Sequence, residues 1–190
     1  YQTSGSPSDS VALALLGLVG RPVDLVVSGI NDGANVGTDI LYSGTFAAAS
    51  EGTLAGLPAF AISLDTAGYG DYGPAAAFAV ALARAILAAS GEGPWLLNVN
   101  VPDRPADQLS GVEITRLGTR VYRDALVERY DPRGRRYYWI GGEAPGGLAE
   151  EGTDIGALAA GYVSVTPILL DLTDYDRLED LRRWDLASPR

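Results

Sequence analysis

Short apolar runs alternate with longer amphipathic stretches along the first hundred residues of the chain. The first run, Asp24–Ser28, is apolar on successive residues, which is typical of a strand buried on both faces of a parallel sheet; the other two are Leu57–Leu64 and Trp95–Asn100. The stretches between them carry helix spacing and helix end signals; they are Ser8–Val19 with Ser8 as N-cap, Thr45–Gly56 and Pro74–Ser90. This alternation predicts βαβ units and a mostly parallel sheet.

Beyond Pro102 the apolar residues alternate with polar ones, and no helix pattern intervenes. The segment DPRG at Asp131–Gly134 is a turn signal, so we predict a protruding antiparallel hairpin arm. The alternating runs are Val112–Arg116, Arg120–Tyr130 and Arg135–Ile140. The rest of the chain predicts an acidic loop at Glu143–Glu151, a strand at Tyr162–Thr166 and a C-terminal helix at Tyr175–Ala187. We expect one α/β domain over residues 1–190, with residues 111–155 as the arm.

Arginine and aromatic residues are concentrated in the predicted arm. Such a surface fits two interpretations, stacking on nucleic acid or contact between subunits. The formal net charge of −10 argues against a nucleic-acid surface, and acidic Glu128 and Asp131 interrupt the basic run. The sequence therefore favours an oligomer contact. The residues are Arg129, Arg133, Arg135, Arg136, Tyr130, Tyr137, Tyr138 and Trp139.

The composition narrows the chemistry, because the chain has no His, Cys or Met and all 14 of its basic residues are Arg. Triads built on His, lysine Schiff bases and zinc sites of the His or Cys type are therefore excluded. The remaining oxygen-bearing side chains suit hard cations such as Mg²⁺ or Mn²⁺. No apolar run approaches the length needed to span a bilayer, so no membrane partner is expected.

Polar side chains crowd the segment between the first buried strand and the next helix. In open α/β sheets this is where ligands bind. Asn31 offers a carbonyl oxygen to a hard cation, although an isolated Asn is more often a turn former. Asp39 is either a supporting carboxylate that orients Asn or water, or part of a polar loop. The polar side chains of this loop are Asn31, Asp32, Asn35, Asp39, Ser43 and Thr45.

The triplet Ser43-Gly44-Thr45 precedes a helix and can direct backbone N–H groups and two hydroxyls at an anion. Ordinary helix capping is the alternative, since Ser and Thr are preferred caps in any helix. In combination with Asn31, the triplet favours metal-assisted hydrolysis of a phosphate ester. In that reaction the helix end and Asn35 would stabilise the charge on the transferring group.

Several long motifs resemble the SurE family of metal-dependent nucleotidases. They cover nearly the whole chain in the family's order: GSPSDS, VVSGIN, LYSGT, AAASEG, GLPAFAISL, LNVNVP, ITRLGTR, DPRGRRYYWIGG, GTD and GYVSVTPILLDLT. The resemblance implies a Rossmann-like fold with helices on both faces of the sheet. It also implies a cytoplasmic enzyme that hydrolyses nucleoside 5′- and 3′-monophosphates with Mg²⁺ or Mn²⁺.

By the same resemblance, Asn31 matches a metal ligand, Asn35 an active-site polar residue, and Ser43, Gly44 and Thr45 the phosphate-contacting triplet. The arm and the C-terminal helix match elements exchanged between subunits in dimers and tetramers. The family's N-terminal Asp-Asp pair has no counterpart in this chain, so we expect an N-terminally incomplete domain. A non-catalytic truncated relative, acting as an oligomeric nucleotide-binding or structural module, is the alternative function.

Overall fold

We analysed a computed structural model of the chain, which describes residues 1–66, 70–89, 93–122, 124–142 and 146–186. The ends of three predicted elements, at Ser90, Glu143 and Ala187, lie outside the described residues. The strands in chain order are β1 Val26–Asp32, β2 Ala59–Asp65, β3 Leu96–Pro102, β4 Gly111–Ile114, β5 Arg120–Val121, β6 Asp124–Tyr130, β7 Arg136–Gly142, β8 Gly146–Gly147 and β9 Tyr162–Pro167. The α-helices are α1 Pro7–Leu13, α2 Gly44–Leu54, α3 Gly73–Ala88, α4 Asp154–Ala159 and α5 Tyr175–Arg182.

A five-stranded sheet forms the body, in the order β1-β2-β3-β9-β4. Strands β1, β2 and β3 are parallel to one another, β9 runs antiparallel to β3, and β4 runs parallel to β9. The carboxyl ends of β1, β2 and β3 therefore meet at one edge of the sheet. The mostly parallel α/β fold predicted from the sequence is confirmed.

Helices cover both faces of this sheet. Successive side chains of a strand point to opposite faces, so each strand contributes apolar side chains to a core on either side. On one face, Leu97 and Val99 of β3 belong to a core that packs against Leu82 of α3. On the other face, Ala59 and Ala61 of β2 pack with Phe46 and Ala49 of α2. The small side chains of α2 allow it to lie close to the sheet, as the alanine-rich sequence predicts.

Element boundaries differ from the predicted ones in two places before the site loop. The first helix is capped by Ser6 rather than Ser8, because the Ser6 hydroxyl accepts a hydrogen bond from the Asp9 amide in a capping box. Strand β1 continues to Asp32, so Asn31 and Asp32 belong to the strand end and not to the loop. Pairing of Asn31 with Ser63 of β2 holds this end in the sheet.

The second half of the chain divides differently from the predicted run of antiparallel strands. Strand β4, which falls within residues 111–155, is the edge strand of the main sheet. Strands β6 and β7 form the separate antiparallel hairpin, with Asp131–Gly134 at its turn. Helix α5 is shorter than predicted, so Leu178 and Leu181 lie in it and Trp184 follows it. No helix in the described ranges is long and apolar enough to cross a membrane.

Candidate functional site at the carboxyl ends of the parallel strands

Asn31 and Thr45 meet where the end of β1 faces the start of α2. The Thr45 hydroxyl donates a hydrogen bond of 3.1 Å to Oδ1 of Asn31. The Nδ2 of Asn31 donates to the Gly33 carbonyl at 2.8 Å, which fixes the orientation of the amide. Asn31 therefore serves the turn with its nitrogen and presents its oxygen towards the helix.

Helix α2 begins with the triplet that the sequence proposed for phosphate. Ser43 is its N-cap, and the Ser43 hydroxyl accepts a hydrogen bond of 3.1 Å from the Phe46 amide. Ser43 therefore acts as an ordinary helix cap, the alternative to a phosphate contact. This role occupies the hydroxyl of Ser43 and leaves the N–H groups of Gly44 and Thr45 available. Gly44 and Thr45 occupy the first two helical positions, whose N–H groups have no acceptor within a helix. The helix start thus directs positive partial charge at the region around Asn31.

Asn35 is held by three buried side chains of the neighbouring strands. Its backbone N–H donates to Asn100 Oδ1 at 2.8 Å, and its carbonyl accepts from Asn100 Nδ2 at 3.0 Å and from Asn98 Nδ2 at 2.8 Å. Its own Nδ2 donates to the Ser63 hydroxyl at 2.8 Å. Asn98, Asn100 and Ser63 are all fully buried. The contacts of Asn35 therefore fix the path of the loop that leaves β1.

A buried carboxylate holds the next part of the same loop. Asp154, the first residue of α4, accepts hydrogen bonds from the amides of Gly37 and Gly118 at 2.7 Å each and from the Ile155 amide at 2.8 Å. Its side chain is fully buried, and these three N–H groups come from three separate parts of the chain. Gly37 has a φ of +54°, and an added Cβ would lie 2.5 Å from the Gly118 carbonyl oxygen. The loop consequently passes through a position that only glycine fills.

Asp39 contacts the base of the arm. Its Oδ2 lies 2.7 Å from Nε of Arg120, with both side chains less than one-fifth exposed. The Tyr122 hydroxyl donates to Asp39, and this hydrogen bond is the main reason why the pKa of Tyr122 is raised. The Arg120 guanidinium also lies over the Tyr122 ring, 5.8 Å from its centre. In the structure, Asp39 thus ties the loop to Arg120 and Tyr122.

Three further carboxylates lie at the carboxyl ends of the parallel strands: Asp32 and Asp65 end β1 and β2, and Asp103 follows β3. Burial raises the pKa of Asp65, Arg120 opposes the rise and Asp103 adds to it. The Gly70 N–H donates a hydrogen bond to both carboxylate oxygens of Asp103, with N–O distances of 2.8 and 3.0 Å. The pKa of Tyr72 is raised first by burial and then by Asp32. Among the residues that the structure describes, no three His, Cys, Asp or Glu side chains are grouped so that they could hold a metal ion.

The donors available to a metal in the described residues are therefore few. The amide oxygen of Asn31 is of the type that Mg²⁺ and Mn²⁺ accept, and it faces the helix start. It fits such a cation as one ligand of a larger set. The structure thus brings the predicted metal residue and the predicted phosphate triplet together, while Asn35 and Asp39 contact other strands and the arm base.

Sequence reasoning missed Asn98, Asn100, Ser63, Asp154 and Arg120. A signal for the two asparagines was present, since LNVNVP sets amides at alternate positions of an otherwise apolar strand. Buried amides need hydrogen-bond partners, so this pattern indicates that another segment crosses the sheet there. Nothing local in the sequence indicates which segment it is.

The fold and the candidate site together define an α/β protein in which the candidate ligand site lies beyond the carboxyl ends of parallel strands. The family described as Survival protein SurE matches residues 1–124. A protein called 5′-nucleotidase SurE from Symbiobacterium thermophilum is 50% identical over 184 residues, which cover 97% of this chain and 72% of that protein. Its counterpart from Chloroflexus aggregans is 53% identical over 184 residues, covering 95% and 72%.

A solved structure agrees with these relatives. The crystal structure of the SurE protein from Aquifex aeolicus has a TM-score of 0.80 and 39% identity, and the match covers 94% of this chain and 73% of that one. The chain belongs to the SurE family. The predicted family and the predicted fold class are thereby confirmed.

Proposed function

We propose that this protein is a metal-dependent phosphomonoesterase that hydrolyses nucleoside 5′- and 3′-monophosphates to nucleoside and phosphate. The observation that carries the proposal is the hydrogen bond from Thr45 to Asn31, which joins a helix start suited to phosphate to an oxygen suited to a cation. Relatives about 50% identical carry the name 5′-nucleotidase SurE, which supports the substrate class.

In this proposal Asn31 supplies one ligand to Mg²⁺ or Mn²⁺, and the backbone N–H groups at Gly44 and Thr45 receive the phosphate. A bound divalent cation lowers the pKa of a water molecule and polarises a phosphoryl oxygen. The Thr45 hydroxyl holds the Asn31 oxygen in place beside the helix start. A direct contact between Asn35 and the phosphate stays a prediction, and its backbone contacts support a role in placing the loop.

The charge of the chain bears on how an anion is held. The protein carries a formal charge of −10 and no Lys, and Arg120, which contacts the loop, is paired with Asp39. A helix N-terminus and a metal ion bind phosphate without a free basic side chain. This arrangement supports small phosphate esters as substrates and argues against nucleic acid.

We further propose a homodimer or homotetramer assembled through the hairpin arm, and a cytoplasmic location that rests on the family resemblance alone. The described faces of the hairpin carry large exposed apolar side chains, among them Leu126, Trp139 and Ile140. Exposed apolar patches of this kind mark contact surfaces. Measurement of the molar mass in solution before and after Trp139→Ser and Ile140→Ser tests the assembly.

The proposed activity is tested by release of inorganic phosphate from adenosine 5′- and 3′-monophosphate with Mg²⁺, Mn²⁺ or a chelator. We expect release that needs the cation and falls at least about 100-fold in Asn31→Ala, the scale of losing a metal-site residue. Thr38→Ala, an exposed residue in the segment between β1 and α2, is the matched control and retains activity. A folded protein that binds nucleotide but releases no phosphate would support the non-catalytic alternative instead.

A further inference from the structure

The backbone of Asn35 pairs with the side chain of Asn100 as one strand residue pairs with another. Asn100 Oδ1 accepts the Asn35 N–H at 2.8 Å, and Asn100 Nδ2 donates to the Asn35 carbonyl at 3.0 Å. Both groups of one residue are thus satisfied by a single amide. Since Asn100 is fully buried in a central strand, the amide is fixed and the loop is placed by it.

From this geometry we propose that Asn100 is a positioning residue, which orients Asn31 through the loop at residues 33–36. The inference rests on the proposed function and assigns Asn100 a part in it.

One further hydrogen bond connects this loop to Asn31, and another holds the loop against β2. The carbonyl of Gly33, two residues before Asn35, accepts Nδ2 of Asn31 at 2.8 Å, and the Gly33 amide donates to the Leu64 carbonyl at 2.9 Å. If residue 35 shifts, the Gly33 carbonyl shifts with it and the Asn31 amide is free to turn. The Asn31 oxygen would then leave the Thr45 hydroxyl and the helix start.

Asn98 contributes less than Asn100 to the same loop. It donates to the Asn35 carbonyl at 2.8 Å, but that carbonyl also accepts from Asn100, and the Asn35 N–H has Asn100 as its acceptor. Loss of Asn98 therefore leaves both backbone groups of residue 35 with a partner. Loss of Asn100 leaves a half-buried N–H without one, which is the more costly change.

Thr115 provides a matched control on the same polar face of the sheet. Its buried hydroxyl lies 2.8 Å from that of Ser164 and 2.7 Å from that of Thr166, and residues 33–36 are not among these partners. Thr115→Val removes buried hydrogen bonds and keeps the number of side-chain heavy atoms, as Asn100→Leu does. A general loss of stability should affect both variants, whereas a loss of loop position should affect only Asn100→Leu.

The experiment measures hydrogen exchange of residues 33–36 and steady-state phosphate release in the full chain. We expect exchange about tenfold faster or more in Asn100→Leu and less than about twofold faster in Thr115→Val, given the cost of an unpaired buried amide. The KM for nucleotide should rise about fivefold or more in Asn100→Leu alone. Partial misfolding would lower the number of active molecules and leave KM unchanged.

If Asn100→Leu does not fold, Asn98→Leu tests the same inference. We expect this variant to show intermediate increases in the exchange rate of residues 33–36 and in the KM for nucleotide. The inference is overturned if loop exchange and KM in the amide variants match those of Thr115→Val, or if one of the two rises without the other. If the wild-type protein releases no phosphate, the proposed function fails. Exchange would then still decide whether Asn100 holds the loop.

Discussion

The hydroxyl of Thr45 donates to the side-chain oxygen of Asn31 across 3.1 Å, although the two residues are 14 positions apart. One lies at the end of the first parallel strand and the other in the first turn of the helix that follows. The contact couples the candidate cation ligand to the candidate phosphate cradle. Loss of this hydrogen bond should therefore weaken both cation binding and phosphate binding.

Thr45→Val removes that hydroxyl at constant shape. We expect KM for nucleotide and the apparent dissociation constant for Mn²⁺ to rise about three- to tenfold, the scale of one lost hydrogen bond. Thr53→Val in the same helix is the control, because the Thr53 hydroxyl is buried and has no hydrogen-bond partner among the described residues. Equal kinetics for the two variants would show that the Thr45 hydroxyl has no part in the site.

Asp154→Asn should destabilise the fold strongly. The carboxylate accepts three backbone amides, and an amide side chain would turn an N–H group towards one of them. We expect a loss of about 2–4 kcal/mol in urea unfolding. The surface variant Glu150→Gln, which breaks an exposed ion pair with Arg116, should cost less than about 0.5 kcal/mol. A similar small loss in Asp154→Asn would contradict the buried role of Asp154.

Gly37→Ala separates steric overlap from backbone strain. At Gly37 the added Cβ would lie 2.5 Å from the Gly118 carbonyl oxygen, whereas Gly56 has a φ of +83° and open space around it. We expect Gly56→Ala to cost about 1 kcal/mol from backbone strain alone, and Gly37→Ala to cost clearly more. Thermal unfolding of both variants measures the difference. Equal losses would mean that the loop at Gly37 relaxes freely.

The ion pair between Asp39 and Arg120 should contribute to stability more than surface pairs do. A double-mutant cycle with Asp39→Asn and Arg120→Gln is expected to give a coupling of about 1–2 kcal/mol, because both side chains are mostly buried. The same cycle on Arg116 and Glu150, whose side chains are at least half exposed, should give at most about 0.5 kcal/mol. A negligible coupling at Asp39 would remove its role as a tie between loop and arm base.

Asp65→Asn should alter the pH dependence of stability. Burial raises the pKa of Asp65 above its usual value of 3.8, so the folded state is favoured while the carboxyl is protonated. That contribution is fully present below the unfolded pKa and is lost as pH rises through the folded pKa. The variant should therefore gain stability relative to wild type as the pH rises above about 4. Urea midpoints across this range would show a flat difference if burial of Asp65 has no effect.

The helices and parallel strands were predictable because their signals are local. Apolar runs of β2 and β3 and the alanine-rich α2 appear at nearly the expected positions. The position of β4 in the sheet was not predictable, since its pairing with β9 joins residues about 50 positions apart. Alternation of apolar and polar residues does not show which edge of a sheet a strand joins. The cap of α1 was predicted at Ser8 for a different reason, since the local signal at Ser6, where Pro7 begins the helix and Asp9 completes a capping box, was overlooked.

For the site, local reasoning identified the residues and long-range contacts decided their partners. Asn31 and Thr45 were expected near one ligand, and the structure joins them directly. Asn35 was expected to contact the ligand, and Asp39 was expected to be a supporting carboxylate or part of a polar loop. The structure gives them contacts with β3 and the arm base. Their partners, Asn100 and Arg120, lie more than 60 residues away in sequence, beyond the reach of spacing arguments.

The alternation of amides and apolar side chains in β3 has a consequence for how the sheet assembles. Asn98 and Asn100 face the loop, while Leu97, Val99 and Val101 belong to the apolar core on the opposite face. A slip of one residue in pairing would bury both amides among apolar side chains and expose the apolar set to the polar loop. The residues that place the loop thus also select a single alignment for the central strand.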